Sequence, residues 1–274
     1  VSGSDAAILH SRRLRALFAG MKRTTRLLIR NLIAEFEQSA FAPAAFELSV
    51  GEENTAAVPG LCITDDAGNE VVLSGRIDRV DIWKNRGKTY LRVIDYKTGT
   101  KKFDLEQVRQ GLNMQMLIYL FSLWANGEKH FDSEVVPAGV LYVSAKAPDV
   151  AADFGQSDEQ IRKLIEKSFK RSGYLLDDRE VLAAMEKDLS GKYIPVTLKN
   201  DGTYDMRYTA PLASLESMGE LKQQLEKTVT EITGLLRGGS ADAIPLCDRT
   251  GKSIPCQWCS YKPVCRRTGQ TEEG

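Results

Sequence analysis

The sequence predicts an α/β fold, a mixed and hairpin-rich sheet flanked by helices, and three observations carry the prediction. Two apolar, β-branched runs, Gly75-Arg76-Ile77-Asp78-Arg79-Val80-Asp81 and Val93-Ile94-Asp95-Tyr96-Lys97-Thr98-Gly99, bracket the polar turn Lys84-Asn85-Arg86-Gly87-Lys88, the pattern of a β-hairpin. Apolar residues recur at helical spacing on either side of it, over 5–38 and 104–126. Further strand-like runs at 46–50 and 138–144 give the hairpin neighbours to pair with. At 274 residues the chain can bury a substantial core, as one large domain or two small ones.

Taken in order, residues 5–38 read as a long helix whose apolar stripe is Leu14, Leu17, Met21, Leu28, Leu32, Ile33 and Phe36, with arginines largely between them. The segment from Ser39 to Pro43 ends it, and Phe46-Glu47-Leu48-Ser49-Val50 is a first strand. A short strand near 61–64 and a turn at Asp66-Ala67-Gly68-Asn69 lead into the hairpin. Asp104 is placed to cap a helix running to Asn126 and stopped by Gly127, with Leu105, Val108, Leu112, Met116, Leu120 and Leu123 buried. A strand at 138–144 and helices at 157–171, 178–189 and 212–237 complete the pattern. The expected organisation is an N-terminal helical segment, 1–40, and a domain over 41–274 ending in a cysteine-rich tail at 246–267. No internal repeat, low-complexity block or linker interrupts it.

Composition is that of an ordinary globular chain, with 42% hydrophobic and 27% charged residues. No run reaches the length of a membrane span and the first residues lack a signal-peptide core, so a cytoplasmic location is the default expectation. Net charge is zero, 37 basic against 37 acidic residues, and says nothing for nucleic acid. The first 30 residues, however, set Arg12, Arg13, Arg15, Lys22, Arg23, Arg26 and Arg30 against Asp5 alone. Such a helix can track a phosphate backbone or simply present the polar side of an amphipathic helix.

The hairpin carries the chemistry. Centred near Arg86 and Gly87, it sets Asp78 across from Asp95, and Lys97, two residues on, projects from the same face. Carboxylates inside β-branched apolar runs need a partner or a metal. Two of them with an ammonium hold a hard divalent ion, and the lysine can polarise a phosphate or activate water. In the following helix Gln115 and Tyr119 are four apart and share a face, as a polar pair beside that site or as a core tyrosine with a boundary glutamine. In the tail, Cys256, Cys259 and Cys265 are spaced as thiolate ligands; zinc and a [4Fe–4S] cluster both accept such a set, so spacing does not separate them. Cys247 is a local fourth thiol, and Cys62 reads as a small apolar residue buried in a strand.

The phrases GRIDRVD and VIDYKTG, the run NMQMLIYLF behind them, FELSVG before, PAGVLYVSAK after and PCQWCSYKPVC near the end together resemble the RecB-like branch of the PD-(D/E)XK nucleases, and within it the AddB-type nuclease domains. The resemblance covers nearly the whole chain. It implies a restriction-endonuclease-like core with a catalytic β-hairpin, and a metal-dependent exodeoxyribonuclease domain of an AddAB-type helicase-nuclease acting in double-strand break repair and recombination. Asp78 and Asp95 would then ligate Mg²⁺ or Mn²⁺, Lys97 would orient or activate water, and Gln115 and Tyr119, matching the Q-x-x-x-Y motif, would assist. DNA and an AddA-type subunit are the implied partners. Cys256, Cys259 and Cys265 match three ligands of a [4Fe–4S] cluster. The family's fourth cysteine, and a helix donating a histidine or acid to the metal, lie upstream in the pattern, so the expectation is a piece of a larger subunit whose cluster can stay unassembled. His10 does not match that donor, and Glu47 is at most a substitute. No G-x-x-x-x-G-K-[ST] motif is present, which puts any ATP-driven motor elsewhere. Two alternatives are a catalytically incomplete nuclease fold serving as a module that binds DNA or a partner subunit, and a Cas4-like exonuclease.

Overall fold

Helix α1 (Arg12–Gln38) begins where Ser11 accepts a hydrogen bond from Leu14 N and ends where Ser39 N donates to Glu35 O. It opens a computed structural model that describes residues 11–65, 67–99, 102–146, 155–169, 171–240, 245–247, 256, 259–261 and 263–265. Only part of the apolar stripe expected of α1 turns inward: Leu28, Leu32 and Phe36 are half-buried, Leu28 against the core. Leu14, Leu17, Met21 and Ile33 are exposed, and the residues it buries are Asn31 and Glu35. Glu35 pairs with Arg92 and Arg171, so the position the helix buries most deeply is an acid.

Strand β1 (Ala42–Gly51) pairs antiparallel with β5 (Gly75–Asn85), and β2 (Val58–Pro59) adds a short parallel edge to β1. Between them β3 (Cys62–Thr64) and β4 (Glu70–Val72) form a separate two-stranded ribbon, so the apolar Val71 and Val72 lie outside the hairpin. Cys62, expected to be buried, is exposed at the start of β3. The hairpin proper joins β5 to β6 (Lys88–Lys97) through a two-residue turn, Arg86 at φ 50° and Gly87 at φ 76°. Two successive left-handed residues match the twist of the flanking strands, and glycine at the second makes the turn accessible.

Where one helix was expected over 104–126, two form. Asp104 caps α2 (Leu105–Arg109) by accepting from Glu106 N and Gln107 N, but Gly111 at φ 81° and Asn113 at φ 55° break the run before α3 (Gln115–Asn126). After the single turn α4 (Glu128–Phe131), β7 (Glu134–Ser144) lies parallel to β6. Helix α5 (Asp158–Ser168), strand β8 (Ser172–Leu176), helix α6 (Arg179–Met185), strand β9 (Leu212–Ala213) and helix α7 (Leu215–Arg237) follow. The sheet order is β2-β1-β5-β6-β7-β8-β9. Two predicted helices are shorter than expected for local reasons. Helix α6 stops at Met185 because the buried Glu186 carboxylate gathers the N–H groups of Ser190, Lys192, Tyr193 and Ile194. Helix α7 starts at 215 because Ser214 caps it.

The two faces of the sheet are packed differently. On one, α3 buries Met116, Leu117, Leu120, Phe121 and Leu123, and α7 adds Met218, Leu221, Leu225 and Val229 to the same apolar cluster. The other lies under α1 and is ionic at its centre. Asp81 binds Arg79 at 2.8 Å and Arg92 at 2.8 Å, Arg92 reaches Glu35 at 2.8 Å, and Glu35 also binds Arg171. Burial by itself raises the Glu35 carboxyl, but Arg92, Arg171 and Arg79 overcome it and hold the group below its ordinary value. The rings of Phe36, Phe41 and Tyr96 lie over these guanidiniums, at 5.1 Å, 5.3 Å and 5.6 Å.

Candidate active site

The hairpin opens at one end. Its ladder runs from Asn85–Lys88 to Arg79–Ile94 and stops there. Beyond that pair β5 stays with β1, while β6 stays with β7, where Asp95 is opposite Tyr142 and Lys97 opposite Ser144. Asp78 and Asp95 are the next residues on, one on each prong of the fork. The Tyr96 N–H at this point has no ladder carbonyl and donates instead to Asp78 Oδ2, at 2.9 Å. One carboxylate thus caps the fork, from a half-exposed residue.

Strand alternation puts Asp95 and Lys97 on the face of Leu91 and Val93, away from Arg92 and its ionic cluster. Asp95 is 6% exposed, and Lys97 Nζ lies 2.7 Å from its Oδ2. The same ammonium is 5.6 Å from the centroid of the Tyr142 ring. Burial, with the Asp95 charge beside it, pushes the Tyr142 hydroxyl up to about 12, so that phenol stays protonated through the physiological range. Asp78 and Asp95 thus stand on the two prongs of the fork, with Lys97 paired to Asp95. Gln115 and Tyr119 share a helix face there too. Gln115 Nε2 donates to Tyr119 OH at 3.0 Å, and that hydroxyl accepts from Arg76 N at 3.2 Å. What the pair touches is the backbone of β5 two residues ahead of Asp78. Gly75 is required for this contact: a Cβ there would lie 2.3 Å from the Tyr119 hydroxyl.

The remaining candidates are not brought in. Glu47, across β1 from Asp78, is exposed with a positive φ of 50° and approaches Arg76 at 3.9 Å. His130 packs edge-on against Phe131 beside the hairpin turn, at the far end of the sheet, and His10 lies outside the described residues. Cys247, Cys256, Cys259 and Cys265 are free thiols, and no three His, Cys, Asp or Glu side chains converge on a metal-sized site among the described residues. The donor set that does fit a metal is the pair Asp78 and Asp95. Two hard oxygen donors suit a magnesium-type cation, which keeps several of its own waters. What sequence reasoning missed is the pairing of Tyr142 with Asp95, since β7 and β6 are joined only through the fold, and the positioning part of Gly75.

The geometry defines a class: two carboxylates on a forked hairpin with a lysine two residues beyond the second. The chain belongs to the PD-(D/E)XK nuclease superfamily, which it matches over residues 4–266. Among curated relatives it is 34% identical over 263 residues to the AddB component of the ATP-dependent helicase/deoxyribonuclease of Acetivibrio thermocellus, covering 95% of this chain and 22% of that protein. The protein of the same name from Clostridium acetobutylicum is 32% identical over 269 residues, covering 97% of this chain and 23% of that protein. The resemblance to AddB-type nuclease domains is thereby borne out, and the chain spans less than a quarter of the length of these relatives. No helix among the described residues is long and apolar enough to cross a membrane.

Proposed function

We propose that this chain is the deoxyribonuclease domain of an AddAB-type helicase-nuclease, cleaving phosphodiester bonds in DNA with the help of a divalent metal ion and docking with an AddA-type subunit in the cytoplasm. The supporting observation is the placement of Asp78 and Asp95 on the two prongs at the open end of the hairpin, with Lys97 Nζ 2.7 Å from Asp95. The names of the relatives support DNA and a helicase partner.

Asp78 and Asp95 would hold Mg²⁺ or Mn²⁺. When bound, such an ion supplies Lewis acidity to a phosphoryl oxygen and a lowered pKa to a coordinated water. The protein's own part is positional. Asp95 holds the Lys97 ammonium in place and the Tyr142 ring backs it, so the cation faces the scissile phosphate, where it orients the attacking water and offsets developing negative charge. Asp78 is fixed through Tyr96 N, and the Gln115–Tyr119 pair fixes the strand that carries Asp78. Held in this way, the reacting groups need little reorganisation.

For the tail we propose Cys256, Cys259 and Cys265 as thiolate ligands of a [4Fe–4S] cluster, on their spacing and the family resemblance. Anaerobically purified protein should show broad absorbance in the visible blue; colourless protein containing zinc would assign the site to zinc. For the reaction, Asp95→Ala and Lys97→Ala in the intact protein should each slow magnesium-dependent degradation of DNA by about 10²–10⁴-fold or more. Undiminished cleavage in either variant would remove the assigned roles.

A further inference from the structure

We propose that the hydrogen bond between Arg79 and the Tyr96 phenol is a tie that sets the spacing of the two prongs carrying Asp78 and Asp95. Tyr96 is then a positioning residue for the divalent cation, an inference that rests on the metal-dependent reading above. The pairing of β5 with β6 ends at Arg79–Ile94, and past it each prong follows its own neighbour, β1 or β7. At that opening two hydrogen bonds among the described residues cross from β6 to β5, and both are made by Tyr96. Its N–H donates to Asp78 Oδ2 at 2.9 Å, and its hydroxyl accepts from Arg79 Nη1 at 2.5 Å. Strand alternation sends the Tyr96 side chain to the face opposite Asp95 and Lys97, the side of α1. There it is the diagonal neighbour of Arg79, two residues past the Ile94 that pairs with Arg79, a span that long and aromatic side chains bridge.

Arg79 is a firm anchor. It is 1% exposed, with Nε 2.8 Å from Asp81 Oδ1 and Nη2 3.0 Å from Asp81 Oδ2. The Phe36 ring of α1 lies 5.1 Å from its guanidinium carbon, and the Tyr96 ring adds a second aromatic face at 5.6 Å. A hydrogen bond donated by a charged group is stronger than one between neutral groups. Tyr96 stands between Asp95 and Lys97 in the chain, so pinning its side chain pins the backbone of both. The tie passes the rigidity of the closed ionic network through the sheet to the open site. A small divalent cation demands near-ideal geometry about itself, so the separation of its two carboxylates enters its affinity directly. Loss of a group that orients a metal ligand typically costs about 10–100-fold in affinity.

The test compares wild type, Tyr96→Phe and Glu35→Gln as full chains. Mn²⁺ affinity is read by electron paramagnetic resonance, and exchange of the Tyr96 amide proton by nuclear magnetic resonance on metal-free protein. Tyr96→Phe keeps the ring and removes only the hydroxyl. It should weaken Mn²⁺ binding about tenfold and speed exchange of the Tyr96 amide about tenfold, because the bond to Asp78 opens more often. Cleavage should fall at limiting metal and recover at saturating metal, with a melting temperature close to that of the wild type. Glu35→Gln weakens the network but leaves the tie, so it should lower the melting temperature and leave Mn²⁺ affinity unchanged. Unchanged Mn²⁺ affinity in Tyr96→Phe, an equal loss in Glu35→Gln, unchanged amide exchange, or a cleavage deficit that saturating metal does not restore would each overturn the proposal. Mn²⁺ bound equally by wild type and Tyr96→Phe overturns the tie alone; no Mn²⁺ bound by the wild type, with exchange still faster in Tyr96→Phe, overturns the metal-dependent reading alone.

Discussion

The two faces of the β5–β6 hairpin carry ionic groups of the same kinds in opposite settings. Under α1, the charges of Glu35, Asp81, Arg79 and Arg92 are sealed from water and paired among themselves. On the other face Asp78, Asp95 and Lys97 sit where the ladder forks, with Asp78 and Lys97 half-exposed. The difference teaches what each set is for. A closed network fixes one helix on one sheet, and its members cannot be approached. An open set of two acids and a lysine stays within reach of solvent, and holding a hydrated cation is the role proposed for it.

Substitutions on the two faces should therefore separate activity from stability. The largest effect belongs to the open face. Asp95→Asn or Lys97→Ala should slow metal-dependent cleavage by about 10²–10⁴-fold, the range of a lost acid–base or charge-stabilising group, with the melting temperature nearly unchanged. Next comes the closed face. Glu35→Gln strands Arg92 and Arg171 and should cost about 3–5 kcal/mol in denaturant unfolding, while cleavage by the protein that remains folded persists. An activity loss in Glu35→Gln equal to that in Asp95→Asn would erase the distinction between the faces.

Glu35 also sets a pH dependence. Its folded-state carboxyl titrates below the ordinary glutamate value because Arg92, Arg171 and Arg79 outweigh the burial that raises it. The stability it contributes is present in full above the ordinary range, about pH 4.3, and is lost as the pH falls through the depressed folded value. Acid unfolding curves of wild type and Glu35→Gln should converge there; parallel curves throughout would contradict the assignment. A smaller effect joins the faces. Tyr119→Phe removes the acceptor of Arg76 N and should cost about 1 kcal/mol with a modest loss of rate. Gly75→Ala, whose Cβ meets the same hydroxyl, should cost about 1–3 kcal/mol. A rate unchanged in both would show that Asp78 needs no such support.

How much of this was legible in the sequence follows from the range of each interaction. The hairpin, its turn and the shared face of Asp78, Asp95 and Lys97 follow from period-two alternation about Arg86 and Gly87, which is local. Gly111 could have signalled the break between α2 and α3. The burial of Glu35 could not be read, because its partners Arg92 and Arg171 lie 57 and 136 positions away. For the same reason hydrophobic periodicity reads α1 only in part: Leu28, Leu32 and Phe36 turn inward, but the most deeply buried position is the acid Glu35.

The central claim is that Asp78 and Asp95 jointly hold one hydrated divalent cation. Its most direct test is a Mn²⁺ titration followed by electron paramagnetic resonance on wild type, Asp78→Asn, Asp95→Asn and Glu35→Gln. The account predicts one site in the wild type and in Glu35→Gln, and its loss in each aspartate variant. Undiminished Mn²⁺ binding in Asp78→Asn and Asp95→Asn would contradict it.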